Sequence, residues 1–224
     1  MDRHGPNVRL GRTEVKTFAM IALLVLAAGE SRRMGYPKAL LRYRGRTFLE
    51  SILDAAWAAG IERRLVALAP DEDNVLRAHE LHNVVVVRNE TPQAGPIGSI
   101  RAGIRAVFNH PVEALLVWPV DHPHVSVATV QALVAGFYQA KGAIVVPSYG
   151  GRRGHPVVFS RSVFEELLEA PDSEGARAVV RRDPRRVVDV AVEDAAVLEG
   201  IDTPAQYEAL LRRSAFPEAR GPAT

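Results

Sequence analysis

No cysteine occurs among the 224 residues, which excludes disulfides and thiolate metal sites and fits a reducing compartment. Charge of one sign is also missing. Lys and Arg number 28 against 26 Asp and Glu, a net +2, so the balance marks no nucleic-acid-binding surface. The longest apolar run, residues 18–28, is too short for the roughly 20 residues a spanning helix needs. Residues 1–17 are mostly polar with no apolar stretch and so lack the apolar segment of a secretion signal. The expectation is a cytoplasmic protein with neither nucleic acid nor membrane as partner. No linker, repeat or low-complexity tract divides the chain. One domain is therefore expected over 18–213, with a disordered N-terminal extension at 1–17 and a disordered tail at 214–224.

Apolar runs of strand length recur at 18–28, 63–69, 83–88, 113–120 and 142–148. They are continuous rather than alternating, as strands buried on both faces are. Helical periodicity fills the gaps at 46–60, 98–109 and 126–140, the first ending on Gly60 as a C-cap and the last opening on Ser126 as an N-cap. Beyond 148 the pattern predicts a turn into a short strand, helices at 162–170 and 174–182, a strand near 186–191 and a last helix at 203–213. Strand and helix in alternation predict an α/β fold: a single doubly wound, mostly parallel sheet flanked by helices. The arginine-rich run 177–189 interleaves with valines at helix and strand spacing and reads as a solvated face.

The segment LAAGESRRMGYPKALL, residues 26–41, follows the first strand, and in such sheets ligands bind beyond the strands' carboxyl ends. After Leu26, the small residues Ala27, Ala28 and Gly29 let backbone N–H groups approach a ligand and form an anion nest. Arg33 adds a forked donor, Lys38 a compact charge, and Pro37 stiffens the backbone before it. Together they describe a polyphosphate cradle. Neither familiar glycine motif fits: five residues separate Gly29 from Gly35, with Lys38 beyond, and the three spaced glycines of a dinucleotide fingerprint are missing. A dehydrogenase is disfavoured accordingly.

This loop resembles the signature of the MobA-like NTP transferases, the nucleotidyltransferases of molybdenum-cofactor synthesis, in which a strand runs into L-A-[AG]-G-x-S-x-R-M-G-x-[PD]-K. Leu26, Ala27, Ala28, Gly29, Ser31, Arg33, Met34, Gly35, Pro37 and Lys38 match it. The resemblance extends over about 19–212. It implies a Rossmann-like nucleotidyltransferase fold and a nucleotide site at Leu26, Ala27, Ala28, Gly29, Ser31, Arg33 and Lys38, with Gly95 and Ser99 at the base and ribose. Asp121, in the strand end LLVWPVDHPHV, corresponds to the family's Mg²⁺ ligand. A carboxylate there suits an ion that takes one or two carboxylates plus phosphates. Asp202, in GIDTPAQYEAL, is implied as a second ligand, and it is equally suited to cap the last helix. GRRGHPVVFS resembles an acceptor-binding segment, which implies Gly154, His155 and Pro156; its plain reading is a turn into a strand. His122 and His124 flank Pro123 at poor spacing for zinc. Asn89 and Glu90 lie nearby without an assigned role.

The implied reaction transfers a nucleoside monophosphate to a phosphorylated acceptor and releases pyrophosphate, with Lys38, Arg33 and Asp121 as the catalytic set and Mg²⁺ as cofactor. CTP is the expected donor, because Ala28 gives the L-A-A-G of the cytidylyl branch. GPIGSI at 95–100 mixes cytidylyl and guanylyl patterns, which leaves GTP open. Molybdopterin carrying molybdenum is the expected acceptor, and a molybdenum hydroxylase apoenzyme the downstream partner. Other phosphorylated metabolites, or a maturation module that binds a finished cofactor without catalysis, are the alternatives.

Overall fold

The computed structural model describes residues 20–215 except positions 30, 32, 80, 82, 141 and 142. The extension expected at 1–17 and nearly all of the tail lie outside the described residues. In chain order the elements are β1 (Met20–Leu26), β2 (Arg42–Tyr43), β3 (Arg46–Thr47), α1 (Phe48–Ala58), β4 (Arg64–Leu68), α2 (Asp73–Ala78), β5 (Val84–Arg88), α3 (Pro96–Val107) and β6 (Val112–Pro119). There follow α4 (Val127–Ala140), β7 (Ile144–Tyr149), β8 (Arg152–Arg153), β9 (Val157–Ser160), α5 (Phe164–Glu169), α6 (Ala176–Arg182), β10 (Val187–Ala191) and α7 (Pro204–Ala215).

The main sheet runs β10-β7-β9-β6-β1-β4-β5, with β8 paired to β7. Every neighbouring pair along that order is parallel except those made by β9, which is antiparallel to both β6 and β7. The continuous apolar runs are explained by helices on both faces. Ile21, Leu23 and Val25 of β1 pack with Phe48, Leu49 and Ile52 of α1 and with Val130 and Leu133 of α4. Ala22 and Leu24 point the other way, towards Ile97, Ile100 and Ile104 of α3 and Phe164 and Leu167 of α5. Each such fully buried aliphatic side chain contributes about 1.5–3 kcal/mol. α3 lies so close to β1 that a Cβ on Gly103 would stand 2.4 Å from Leu24 Cδ2.

Two local details depart from the expected pattern. The helix expected from 46 begins at Phe48, because Arg46 and Thr47 pair with β2 across a turn in which Arg44 and Gly45 have positive φ. Thr47 then closes a capping box, its Oγ1 accepting from Glu50 N at 3.1 Å while Glu50 Oε2 accepts from Thr47 N at 2.8 Å. The short helix α2 was not anticipated, since six residues carry too little periodicity to stand out.

The order of the strands decides where a ligand can bind. From β1 the chain steps outward to β4 and β5, then returns to β6 on the other side of β1. The loops after β1 and β6 therefore lie side by side at the carboxyl edge, where ligands bind in such sheets. Register aligns the two strand ends, Leu26 opposite Pro119, and Val120 N donates to Leu26 O at 3.1 Å.

Candidate active site

The loop leaving β1 is organised by one side chain. Ser31, at φ 47°, accepts from Lys38 N through its Oγ at 3.3 Å and donates to Gly29 O at 3.3 Å. Its carbonyl accepts from Met34 N and Gly35 N at 2.9 and 3.0 Å. Lys38 is thereby delivered back to the strand end. Among the described residues, a Cβ on Gly29 would meet nothing within 4 Å, so its backbone borders the cleft.

Asp121 follows β6, held by a buried Trp118 whose Nε1 donates to His122 O at 3.0 Å. Asp202 arrives from the segment before α7, tied in place by Ile201 N donating to Asp121 O at 2.8 Å. The two carboxylates meet at one ammonium: Lys38 Nζ lies 2.5 Å from Asp202 Oδ1 and 3.4 Å from Asp121 Oδ2. Arg33 reaches the other oxygen of Asp202 at 3.2 Å. Burial alone would raise the Asp121 pKa. The hydrogen bond and charge of His122, with the charge of Lys38, overcome it and hold the carboxyl below its usual range.

Asp202 does not cap α7. Thr203 does, with Gln206 N donating to its Oγ1 at 3.3 Å and Gln206 Oε1 accepting from the amides of Asp202 and Thr203 at 2.9 and 3.0 Å. The reciprocal Thr203–Gln206 pair satisfies the first turn and leaves the Asp202 carboxylate free to face the lysine.

These groups line one cleft of about 910 Å³. Of the expected nucleotide contacts, Leu26, Ala27, Ala28, Gly29, Ser31, Arg33, Lys38, Gly95 and Ser99 all line it, as do Asp121 and Asp202. Gly95 turns the chain into α3 at φ 70°, ψ −149°, a conformation that suits glycine alone. Asn89 stands behind this corner, outside the cleft lining: its Nδ2 donates to Ser99 Oγ at 3.1 Å and its Oδ1 accepts from Thr91 N at 3.0 Å.

Of the three residues expected to meet an acceptor, His155 alone lines the cleft. A Cβ on Gly154 would lie 2.1 Å from Val197 O, so glycine there serves a close backbone approach. Pro156 is buried. The His155 ring meets that of His122 edge to face, centroids 5.2 Å apart. Its pKa is pushed down to about 4, first by desolvation between the cleft walls and then by the charge of His122; Asp121 opposes, and Arg177 adds the smallest downward push. The ring is open to the cleft, and solvent there weakens the effect without reversing its sign. His124 turns away, its Nε2 3.5 Å from Glu199 Oε2.

One wall was missed in the sequence. Residues 172–177 and Val180 line the cleft, Arg177 among them, although 177–189 read as a solvated face. That reading describes Arg182, Arg185 and Arg186, which form ion pairs with Glu166 or Asp183. The available signal was Arg177 in the first turn of a helix with no acidic residue there, where the helix dipole disfavours a cation.

Among the described residues no helix is long and apolar enough to cross a membrane. The profile of the MobA-like NTP transferase domain matches residues 23–187. The nicotine blue oxidoreductase of Paenarthrobacter nicotinovorans is 31% identical over 197 residues, 84% of this chain and 95% of that protein. A probable molybdenum cofactor guanylyltransferase of Opitutus terrae is 33% identical over 125 residues, 56% of this chain and 59% of that protein. The crystal structure of Rv0371c from Mycobacterium tuberculosis superposes with a TM-score of 0.75 at 32% identity, covering 87% of this chain and 98% of that one. A manganese complex of Rv0371c matches at 0.69 and 31%, over 87% and 99% of the two chains.

Proposed function

Since the chain belongs to the MobA-like NTP transferase family, we propose that it transfers CMP from CTP to the phosphate of molybdenum-loaded molybdopterin. One observation carries the reading: Lys38, Asp121 and Asp202 converge beside the glycine loop, at the crevice between β1 and β6. In the reaction an acceptor phosphate oxygen attacks the α-phosphorus. The bond from that phosphorus to the bridging oxygen breaks, and pyrophosphate leaves with the electron pair. Lys38, Arg33 and the amides after Leu26 meet the charge that builds on the leaving group. Positioning and electrostatics suffice, because a phosphate monoester is already a nucleophile at neutral pH and needs no base.

Asp121 and Asp202 fit a hard divalent cation, since both offer carboxylate oxygens to one point now faced by Lys38. Among the described residues no third His, Asp or Glu joins them, so phosphate and water would complete the shell. Mg²⁺ held there would supply neutralisation of the phosphate oxygens.

Base choice rests on Ala28. Ala28 lines the cleft, and a methyl group in place of glycine's hydrogen there favours the smaller base, cytosine. The second reading is GTP, favoured by Pro96 and Ile97 at the start of α3 and by the relative named a guanylyltransferase. The test is a thermal-shift panel with CTP, GTP, ATP, UTP and NADPH, with and without Mg²⁺, followed by pyrophosphate release with molybdopterin. A ligand at 100 times its Kd adds about 2.7 kcal/mol, or about 5–10 °C for a domain of this size. A Mg²⁺-dependent response to CTP with pyrophosphate release is expected. A response to GTP selects the second reading, and binding without pyrophosphate release selects a maturation module. A response to NADPH with none to the triphosphates overturns the proposal in favour of the chemistry that the oxidoreductase relative's name describes.

A further inference from the structure

Among the described residues, three cationic side chains, Arg33, Lys38 and Arg177, line the cleft. The first two are engaged: both contact Asp202, and Lys38 also contacts Asp121. Arg177 differs, making no hydrogen bond or ion pair among the described residues. It stands in the first turn of α6, where a cation works against the helix dipole, so its position calls for an anion from elsewhere.

The segment that carries Arg177 is held in place. Arg101 of α3 donates to Leu168 O at 3.1 Å, to Ala170 O at 2.5 Å and to Asp172 Oδ1 at 2.7 Å. Gly175, at φ 59°, then turns the chain into α6 with its Cβ position 3.7 Å from Ile97 Cβ. The helix that borders the nucleotide corner through Gly95 and Ser99 thus also fixes the wall bearing Arg177. Asp172 is occupied by Arg101, and Glu174, the other carboxylate on this wall, forms no ion pair with Arg177.

Arg177 also lies within electrostatic reach of His155, and His155 in turn touches His122, the partner of Asp121. A path of contacts and charge therefore leads from Arg177 to the point where Lys38 meets the two aspartates. The cleft lining also includes the apolar Ile97, Ile100, Val157, Phe159 and Val180.

We propose that Arg177, with His155 lining the same cleft, forms a second anion subsite that holds the phosphate monoester of the acceptor for attack on the nucleotide. The inference rests on the nucleotidyltransferase reading and adds the residue that would recognise the acceptor. A forked guanidinium suits a phosphate's paired oxygens, and the apolar wall suits a flat ring system attached to it. Arg101 is a positioning residue for this subsite. An acceptor lacking the phosphate loses its anchor as well as its nucleophile.

The test is calorimetric titration of the full chain with inorganic phosphate, the nucleotide cradle filled with Mg²⁺ and the α,β-methylene analogue of CTP or GTP. The same analogue is titrated separately into the free protein. Arg177→Ala is expected to weaken phosphate binding about 10- to 100-fold while nucleotide affinity stays within about twofold. Arg177→Lys keeps the charge without the fork and should fall between. Arg177 is exposed and makes no hydrogen bond among the described residues, so both variants should melt as the parent does. Unchanged phosphate binding in Arg177→Ala overturns the subsite, as does a parent that binds no phosphate. An equal loss of nucleotide affinity also overturns it, by assigning Arg177 to the triphosphate. If the parent binds neither nucleotide, the reading of the function fails by itself, and the phosphate arm is run on the nucleotide-free protein.

Discussion

Replacing Lys38 by methionine separates what the lysine does for the fold from what it does for a ligand. Its ammonium, with the side chain 12% exposed, lies 2.5 Å from one carboxylate and 3.4 Å from a second. Methionine keeps the stem and removes the charge. Asp121 and Asp202, 23% and 33% exposed, would then face each other without a shared cation. Breaking a fully buried pair costs about 3–5 kcal/mol, and loss of a hydrogen bond to a charged group about 1.5–3. Partial exposure of the carboxylates places this case near the lower range, about 2–3 kcal/mol. For a chain of this length that is a fall in Tm of about 4–12 °C. The same change removes the competitor for a divalent cation. Mn²⁺ or Mg²⁺ should therefore raise the Tm of Lys38→Met more than that of the parent, by up to about 2.7 kcal/mol of linkage at 100 times the Kd. Scanning calorimetry with and without MnCl₂ reads both effects. A variant that melts like the parent, or a metal that stabilises the two equally, would refute the shared-cation account.

Three other outcomes follow from the same geometry. Asp121→Ala should lower Mg²⁺-dependent turnover by at least about 100-fold with the fold retained by circular dichroism; undiminished activity removes Asp121 from the metal site. Ala28→Gly should narrow the preference for CTP over GTP by about tenfold in kcat/KM, and unchanged selectivity would move base choice to the 95–99 corner. His124 tests the pH response of the fold. Desolvation lowers its pKa, with His122 and Arg213 adding to the effect and Glu199 opposing it, while the Tyr43 ring lies 6.3 Å away. A base with a depressed folded pKa leaves the unfolded chain binding more protons. Stability should therefore fall as pH drops below about 6.5, and His124→Phe should flatten that slope in urea titrations at stepped pH. An identical slope in the variant would clear His124 of the effect.

Much of this architecture was legible in the chain itself, because it rests on local chemistry. Buried strands announce themselves as continuous apolar runs, and Gly60 and Ser126 mark helix ends by conformational freedom and side-chain acceptors. Gly60 has φ 86° and its N donates to Trp57 O, while Ser126 Oγ accepts from Thr129 N. The glycine loop into Lys38 was visible for the same reason, its residues being neighbours in sequence and in space. Non-local pairing decided the rest. Nothing near β9 in the chain says that it enters antiparallel between β6 and β7, since both partners also carry apolar runs. Asp202 suited a helix cap and a metal ligand alike; in the structure Thr203 takes the cap, and Asp202 meets Lys38, 164 residues earlier. Arg177 looked like one more surface arginine until the clamp of Arg101 on residues 168–172 set its wall against the cleft. The sequence by itself determined the long buried strands, the longer helices and the loop that suits an anion. Which distant charges meet across that loop, and which cation of the cleft is without a partner among the described residues, only the tertiary structure decided, because a carboxylate's partner is set by distance in space and not by separation along the chain.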